Sequence, residues 1–220
     1  MTRSPHASAR QQVLDACLRL ADRGFLAATG GNVSLRAGEG LFAVTPSGLD
    51  YYSMSAEDVC VLRIDTLAVV EGRRRPSVEC GLHAAVLRFR PDAAAVVHTH
   101  QPLASAVALL HQRIPVPDET ARLALGKVID AVGYAPSGTG LLVRALRRRL
   151  RADVNAYTLR NHGLVCCGTT MTRALEAVEL AEQAAALYLR QAIERNGKGD
   201  ELVSFALAAL AMRPSRRGAT

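Results

Sequence analysis

The 220-residue sequence contains no tryptophan and only two lysines, Lys127 and Lys198. Aromatic residues make up 4% of the chain, so alanine, leucine and valine must build the core. Neither lysine lies in an apolar strand that would lower the pKa of its amine, which argues against Schiff-base chemistry. No apolar run approaches the roughly 20 residues that a membrane span needs.

Signals for secretion and for a disulfide framework are also missing. The first ten residues have no apolar segment of the kind found in signal peptides, so we expect a cytoplasmic protein. The five cysteines are odd in number and show no Cys-X-X-Cys spacing, which favours buried thiols over disulfides. The length and the apolar content of 49% predict a single domain over residues 1–220, with flexible ends at 1–8 and 213–220.

The chain is basic, with a formal net charge of +7. Its arginines cluster at 73–75, 147–151 and 213–217. None of these clusters alternates with aromatic residues or matches a nucleic-acid-binding motif, so we expect no nucleic-acid partner. Solvated faces, subunit contacts or the attraction of anionic substrates account better for the charge.

Hydrophobic periodicity predicts a mixture of helices and short strands. Apolar residues recur at helical spacing at 11–23 and 171–195. Further helices are predicted from Pro76 and over 102–110 and 139–150. Short apolar runs predict strands at 41–45, 59–64, 67–70, 93–97, 129–132, 156–159 and 164–167, and the glycine-rich turn within 29–36 is expected to lead into a further strand. This mixture predicts an α/β fold of three layers, α-β-α, in which helices cover a central, mainly antiparallel sheet.

The most informative motif is a pair of histidines, His98 and His100, on either side of Thr99. The pair follows an apolar run that predicts a buried strand, in which residues two apart point the same way. Both imidazoles can therefore share one divalent metal. His162 lies in a second strand-like context, and Glu79 opens a predicted helix. Three histidines and one carboxylate are a ligand set suited to zinc or a similar ion.

Two neighbours of Glu79 have open roles. His83 lies four residues after Glu79, on the same predicted helix face. It can support the metal ligands from behind, although packing is the more ordinary role for such a histidine. Cys80 adjoins Glu79 and is expected to pack in the core.

Small and polar residues at three breaks in the pattern suggest a cradle for phosphate. Glycine lets backbone N–H groups approach an oxyanion, asparagine and serine add donors, and the start of a helix favours an anion. Each segment alone is an ordinary turn or cap, but together with the metal set they favour a phosphorylated substrate. The residues are Gly31, Asn32, Ser47, Gly48 and Ser77.

Five segments, in this order, resemble motifs of the class II aldolase/adducin family, in particular its fuculose-1-phosphate aldolase type. They are T-G-G-N-V-S at 29–34, T-P-S-G at 45–48, P-S-V-E at 76–79, V-H-T-H at 97–100 and N-H-G at 161–163. The resemblance extends from about residue 11 to residue 193 and implies the fold of the adducin head. Two positions depart from the pattern. Val78 stands where the family often has a second serine, and no tyrosine follows residue 193 to shape the aldehyde side.

The resemblance implies specific roles. Zn²⁺, with Mn²⁺ or Co²⁺ as alternatives, is expected on Glu79, His98, His100 and His162. Glu79 is expected to leave the metal and transfer a proton, and Tyr134 to act as a catalytic residue supplied by the neighbouring subunit. The phosphate is expected on Gly31, Asn32, Ser47, Gly48, Ser77 and the backbone of Val78. A fourfold homotetramer with sites between subunits is also implied.

The expected reaction is reversible retro-aldol cleavage of a ketose 1-phosphate, such as L-fuculose 1-phosphate or a 5-deoxyribulose 1-phosphate, to dihydroxyacetone phosphate and an aldehyde. Alternatives on the same scaffold are a 3-oxo-tetronate 4-phosphate decarboxylase, a methylthioribulose-1-phosphate dehydratase and a pentulose-5-phosphate 4-epimerase. The epimerases carry aspartate where Glu79 stands. A non-catalytic interaction module like the adducin head is a further alternative, but it needs no metal ligands.

Overall fold

The computed structural model describes residues 4–26 and 30–196 of the chain. The flexible tail predicted at 213–220 lies outside these residues, as do positions 1–3 of the predicted flexible start. Thr29 of the first family motif and Lys198 lie outside them too. None of the helices in the described part combines the length and apolarity that crossing a membrane requires.

The described residues form six α-helices, nine strands and one short 3₁₀ turn at Ala56–Asp58. The helices are α1 (Ala7–Asp22), α2 (Cys80–Phe89), α3 (Pro102–Leu110), α4 (Glu119–Leu125), α5 (Gly140–Arg147) and α6 (Met171–Asn196). The strands are β1 (Asn32–Arg36), β2 (Leu41–Val44), β3 (Cys60–Arg63), β4 (Val69–Glu71), β5 (Ala95–Thr99), β6 (Ile114–Pro115), β7 (Val128–Val132), β8 (Ala156–Leu159) and β9 (Gly163–Gly168).

All nine strands join one sheet in the order β4-β3-β2-β1-β5-β9-β8-β7-β6. Every neighbouring pair is antiparallel except β7 and β8, which run parallel. The prediction of an α/β fold with a mainly antiparallel central sheet is therefore confirmed. Strand β5 lies in the middle of the sheet, and all five of its residues are buried.

Helices cover both faces of the sheet. Helices α1, α3, α4 and α6 pack on one face, and α2 and α5 pack on the other. The alternation along β5 is visible in its valines, because Val97 joins the first layer of the core and Val96 joins the second. His98 follows with the same parity as Val96, so its ring points to the α2 side of the sheet.

The start of α2 differs from the prediction. The sequence predicts a helix from Pro76, but residues 76 and 77 continue as extended chain beside residues 45–47, and residues 78 and 79 form a turn. Pro76 pairs with Pro46 in an isolated bridge, and the Ser77 N–H donates to the Thr45 carbonyl at 3.0 Å. The helix begins only at Cys80, with Glu79 at its N-cap position.

Two elements were not predicted from the sequence, β6 and α4. Strand β6 has only two residues, too short for a periodic signal. Helix α4 does carry a local signal that the sequence analysis did not use. Asp118 precedes it, and the Ala121 N–H donates to the Asp118 carboxylate at 2.6 Å, the usual N-cap arrangement. All five cysteines are free, and four are buried.

Candidate metal centre

The pairing of β5 with β9 brings two distant histidine segments together. His98 lies opposite Val165, and Thr99 lies opposite Leu164. The turn between β8 and β9 then carries His162 to the end of β5. Asn161 adopts the left-handed conformation in this turn, with φ of 56°, a conformation that asparagine tolerates better than most residues.

Three imidazole nitrogens converge beside the end of β5. The Nε2 atom of His98 lies 3.0 Å from Nε2 of His100 and 3.2 Å from Nε2 of His162. The His98 ring is nearly perpendicular to the other two rings, and its centroid lies 4.7 Å from each of theirs. The three rings therefore point their nitrogens at a common position instead of stacking.

The carboxylate of Glu79 closes the group. Its Oε2 atom lies 3.3 Å from Nε2 of His98, and its Oε1 atom lies 3.4 Å from Nε2 of His162. The side chain of Glu79 is buried at the N-terminal end of α2. The structure thus brings together all four residues that the sequence analysis assigned to the metal.

This donor set fits a divalent metal ion. The Nδ1 atom of His98 lies 2.9 Å from the Leu164 carbonyl oxygen, so Nδ1 carries the proton and Nε2 presents a lone pair. Lone pairs from several imidazoles and a carboxylate repel each other unless a cation lies between them. Nitrogens bound to one zinc ion at about 2.0–2.1 Å in tetrahedral geometry are roughly 3.3 Å apart, close to the observed separations.

Burial controls the charge of the imidazoles. It lowers the pKa of His98, because the charged ring would lose its hydration, and it lowers the pKa of His100 for the same reason. The two rings are therefore neutral at pH 7, the protonation state that metal binding requires.

The carboxylate of Glu79 responds differently. Burial alone would raise the pKa of Glu79, but the electrostatic effect of His98 and the hydrogen bonds from Asn32 and Ser137 outweigh it, and the pKa is lowered. The Asn32 amide donates to Oε2 at 2.9 Å, and the Ser137 hydroxyl donates to Oε1 at 2.8 Å. Both hydrogen bonds favour the ionised form of Glu79.

Ser137 was not predicted from the sequence as a site residue. It lies in the loop at 133–139 between β7 and α5, three residues after Tyr134. The only local signal is a small polar residue between Pro136 and Gly138, in the same short segment as Tyr134. Its contact with Glu79 joins residues 58 positions apart, and such a contact has no local pattern.

Two loops with residues assigned to the phosphate lie side by side. The Ser47 N–H donates to the Arg75 carbonyl at 2.8 Å, and Ser77 is tied to Thr45 as described above. The Ser77 hydroxyl accepts from the Glu79 N–H at 3.2 Å, which links this loop to the metal ligands. Within the described part of the chain, the backbone N–H groups of Gly48 and Val78 donate to no protein group.

Gly31 and Asn32 occupy a different position. Gly31 has φ of +86°, and a Cβ atom there would lie 2.7 Å from the His98 carbonyl oxygen, so only glycine fits against β5. The Asn32 side chain is engaged with Glu79, and a contact between Asn32 and a phosphate stays a prediction.

Val78 and Tyr134 are both exposed. Val78 is 64% exposed. One of its methyl groups lies 3.4 Å from the point that a Cβ atom would occupy if residue 138 were not glycine. Tyr134 follows β7 and is 63% exposed. A surface tyrosine is accessible to a neighbouring subunit, but the catalytic role assigned to it stays a prediction.

Comparison with known proteins identifies the family. Residues 11–189 match the model of the class II aldolase and adducin N-terminal domain. The chain belongs to the class II aldolase and adducin family. This class II aldolase is 34% identical over 180 residues to the 5-deoxy-D-ribulose 1-phosphate aldolase of Bacillus thuringiensis serovar kurstaki, covering 81% of this chain and 83% of the relative.

Two further comparisons agree. The class II aldolase is 36% identical over 178 residues to the 5-methylthioribulose-1-phosphate/5-deoxyribulose-1-phosphate aldolase of Rhodospirillum rubrum, covering 79% of each chain. A solved structure of L-fuculose 1-phosphate aldolase superimposes with a TM-score of 0.78 at 27% identity, covering 96% of this chain and 99% of that one. The described fold is therefore that of an established family of enzymes.

Proposed function

We propose that this class II aldolase cleaves a ketose 1-phosphate reversibly to dihydroxyacetone phosphate and an aldehyde, with Zn²⁺ held by Glu79, His98, His100 and His162. The observation that carries the proposal is the convergence of the His98 Nε2 atom, its two histidine neighbours and the Glu79 carboxylate within 3.0–3.4 Å. The relatives named above support a substrate of the 5-deoxyribulose 1-phosphate or L-fuculose 1-phosphate type.

Zn²⁺ bound to these residues supplies Lewis-acid stabilisation of the negative charge that develops when the carbon–carbon bond breaks. The residues of the chain do the rest. Glu79 is ionised at pH 7 and can accept a proton from the substrate, then return it to the carbon of the product. Asn32 and Ser137 hold the carboxylate in place between these transfers. Tyr134 of a neighbouring subunit would relay this same proton from the hydroxyl that becomes the aldehyde oxygen, so that one proton leaves that oxygen and reaches the carbon released by the cleavage.

The phosphate is proposed to bind where the two loops meet. The Ser47 hydroxyl and the backbone N–H groups of Gly48 and Val78 supply donors, and Ser77 links them to Glu79. Val78 contributes its N–H but no hydroxyl. The left-handed conformation of Gly48, with φ of +70°, frees the backbone to turn toward an anion.

We propose that the enzyme is a cytoplasmic homotetramer with fourfold symmetry and active sites between subunits. Exposed leucines on α3, α4, α5 and α6 provide apolar surface that subunit contacts would bury. They include Leu109, Leu110, Leu123, Leu141 and Leu187. The exposed Tyr134 fits a residue that completes the site of a neighbour.

A product assay tests the reaction. The purified enzyme is incubated with 5-deoxyribulose 1-phosphate, 5-methylthioribulose 1-phosphate, L-fuculose 1-phosphate, a pentulose 5-phosphate and a 3-oxo-tetronate 4-phosphate. We expect dihydroxyacetone phosphate from at least one ketose 1-phosphate, loss of turnover with a chelator and recovery with Zn²⁺. Carbon dioxide, a dehydrated product or an epimer instead would assign a decarboxylase, a dehydratase or an epimerase. No turnover together with no stoichiometric metal would favour an interaction module.

A further inference from the structure

Three buried polar side chains form a hydrogen-bonded chain behind Glu79. The Oδ1 atom of Asn32 lies 2.5 Å from Nε2 of His83, and Nδ1 of His83 lies 2.7 Å from the hydroxyl of Ser34. The exposed fraction is 5% for Asn32 and 0% for His83 and Ser34. None of these contacts involves a group that the reaction described above uses directly.

The protons in this chain have one consistent arrangement. An ionised carboxylate only accepts hydrogen bonds, so the amide nitrogen of Asn32 faces Glu79 and its oxygen faces His83. The Nε2 atom of His83 then carries the proton and donates to Asn32. Its Nδ1 atom accepts, and the Ser34 hydroxyl donates to it. Each donor therefore points toward Glu79.

The chain also joins β1, which pairs with the strand of His98, to α2, which begins beside Glu79. Asn32 and Ser34 lie two residues apart on β1, on the same face, and Asn32 pairs with His98 across the sheet. His83 lies on α2, one helical turn after Glu79. The contacts thus fix the start of α2 against the part of β1 that adjoins His98. Burial lowers the pKa of His83 to about 4, so the ring stays neutral at pH 7.

We propose that Ser34, His83 and Asn32 are positioning residues that hold the Glu79 carboxylate toward the three histidines. This inference rests on the proposed function, since it assigns the role of Glu79 in it. If the three side chains were only a satisfied polar cluster in the core, their loss would lower stability alone.

The test compares His83→Leu, which removes both hydrogen bonds of the ring, with His83→Gln, whose amide can donate to Asn32 again. Tyr157→Phe is the matched control, because Tyr157 is also buried and its hydroxyl, within residues 4–26 and 30–196, bonds only with the backbone of Arg151 and Val154. Two quantities are measured: the rate at which a chelator removes Zn²⁺ from the loaded protein without substrate, and kcat and KM for the best ketose 1-phosphate.

We expect His83→Leu to release Zn²⁺ about 10–100-fold faster, in the range found when partners of metal ligands are lost. We expect kcat to fall by a similar factor with little change in KM, and His83→Gln to recover part of both losses. Tyr157→Phe should change neither. If His83→Leu does not fold, Ser34→Ala removes one hydroxyl at the far end and should move both quantities in the same direction by a smaller factor.

Unchanged Zn²⁺ release and kcat in a folded His83→Leu, or changes no greater than those of Tyr157→Phe, would overturn the proposal. A rise in KM with kcat unchanged would assign Asn32 to the phosphate instead. The two proposals fail separately, because Zn²⁺ release is measured without substrate. A wild-type enzyme that cleaves nothing would contradict the proposed reaction and leave the comparison of Zn²⁺ release intact.

Discussion

The hydroxyl of Ser137 donates to Oε1 of Glu79 at 2.8 Å, across 58 positions of sequence. Asn32 donates to the other oxygen of the same carboxylate. One donor comes from a loop and the other from a buried strand. Substitutions at Ser137 and at Asn32 therefore test separately how the Glu79 carboxylate is kept in position.

Substitution Ser137→Ala removes the donor from the loop. A hydrogen bond to a charged group contributes about 1.5–3 kcal/mol, so we expect kcat to fall roughly 10–100-fold. Ser137→Thr keeps the hydroxyl and serves as the control. Steady-state kinetics of both variants would check this, and equal kcat values for Ser137→Ala and wild type would show that the loop does not act on the carboxylate.

Substitution Glu79→Gln removes the group that accepts the proton but keeps its size. We expect cleavage to be abolished while circular dichroism and the melting temperature stay near wild type. The three histidines should still bind Zn²⁺, measured as metal content after dialysis. Turnover retained in this variant would remove Glu79 from the mechanism.

Removal of Zn²⁺ should lower the melting temperature, because a ligand that binds only the folded state stabilises it. His98→Ala should lose bound Zn²⁺ and this stabilisation together. His6→Ala is the control, since among the described residues the His6 side chain hydrogen-bonds only with the Ala37 carbonyl. Metal analysis and thermal unfolding with and without chelator measure both effects. A zinc content in His98→Ala equal to wild type would contradict the assignment.

The stability of the zinc-free protein should depend on pH through His83. Its pKa is about 4 when folded and 6.5 when unfolded, so the unfolded chain binds more protons between these values. Stability therefore falls as the pH drops from about 6.5 to 4, by on the order of 3 kcal/mol.

His83→Gln should lose this contribution, and the difference between the two chains isolates His83 from His98. Urea unfolding at a series of pH values measures it. If both chains lost the same stability between pH 7 and 4, the ring of His83 would not be a buried neutral group.

Substitution Val78→Ser restores the hydroxyl that the family pattern often has at this position. A hydrogen bond contributes about 0.5–1.5 kcal/mol net, so KM for a ketose 1-phosphate should fall roughly 2–10-fold with kcat nearly unchanged. Val78→Ala is the control, because it shortens the side chain without adding a donor. A KM that falls equally in both variants would point to steric relief instead of a new hydrogen bond.

Much of the fold was predictable because its elements carry local patterns. The bounds predicted for 102–110 and 156–159 agree with α3 and β8 as observed. The extended segment at residues 76 and 77 was not predictable in the same way. Its conformation depends on the bridge between Pro46 and Pro76, and a proline followed by serine is equally typical of a helix start.

The same distinction between local patterns and contacts of distant segments applies to the site. The spacing of His98 and His100 indicates a shared face from local geometry alone. Glu79 entered the ligand set by residue type and position, and the family resemblance supplied its proton-transfer role. Ser137 and the contact between Asn32 and Glu79 depend on segments that meet only after folding. A side chain that acts by positioning another side chain produces no characteristic residue spacing in the sequence.

Because β7 and β8 run parallel, the chain must leave the sheet at the end of β7 and return to its opposite end to begin β8. The segment at 133–139 and α5 form part of this connection. The three histidines lie in or beside the central strands β5 and β9, whereas Ser137 and Tyr134 lie in the segment that leaves the sheet. We expect exchanges in this segment to leave the ion-binding histidines undisturbed when they spare Tyr134, Ser137 and Gly138, which has φ of +70°. The remaining four positions of 133–139 are then the most permissive target for selection toward other aldehydes.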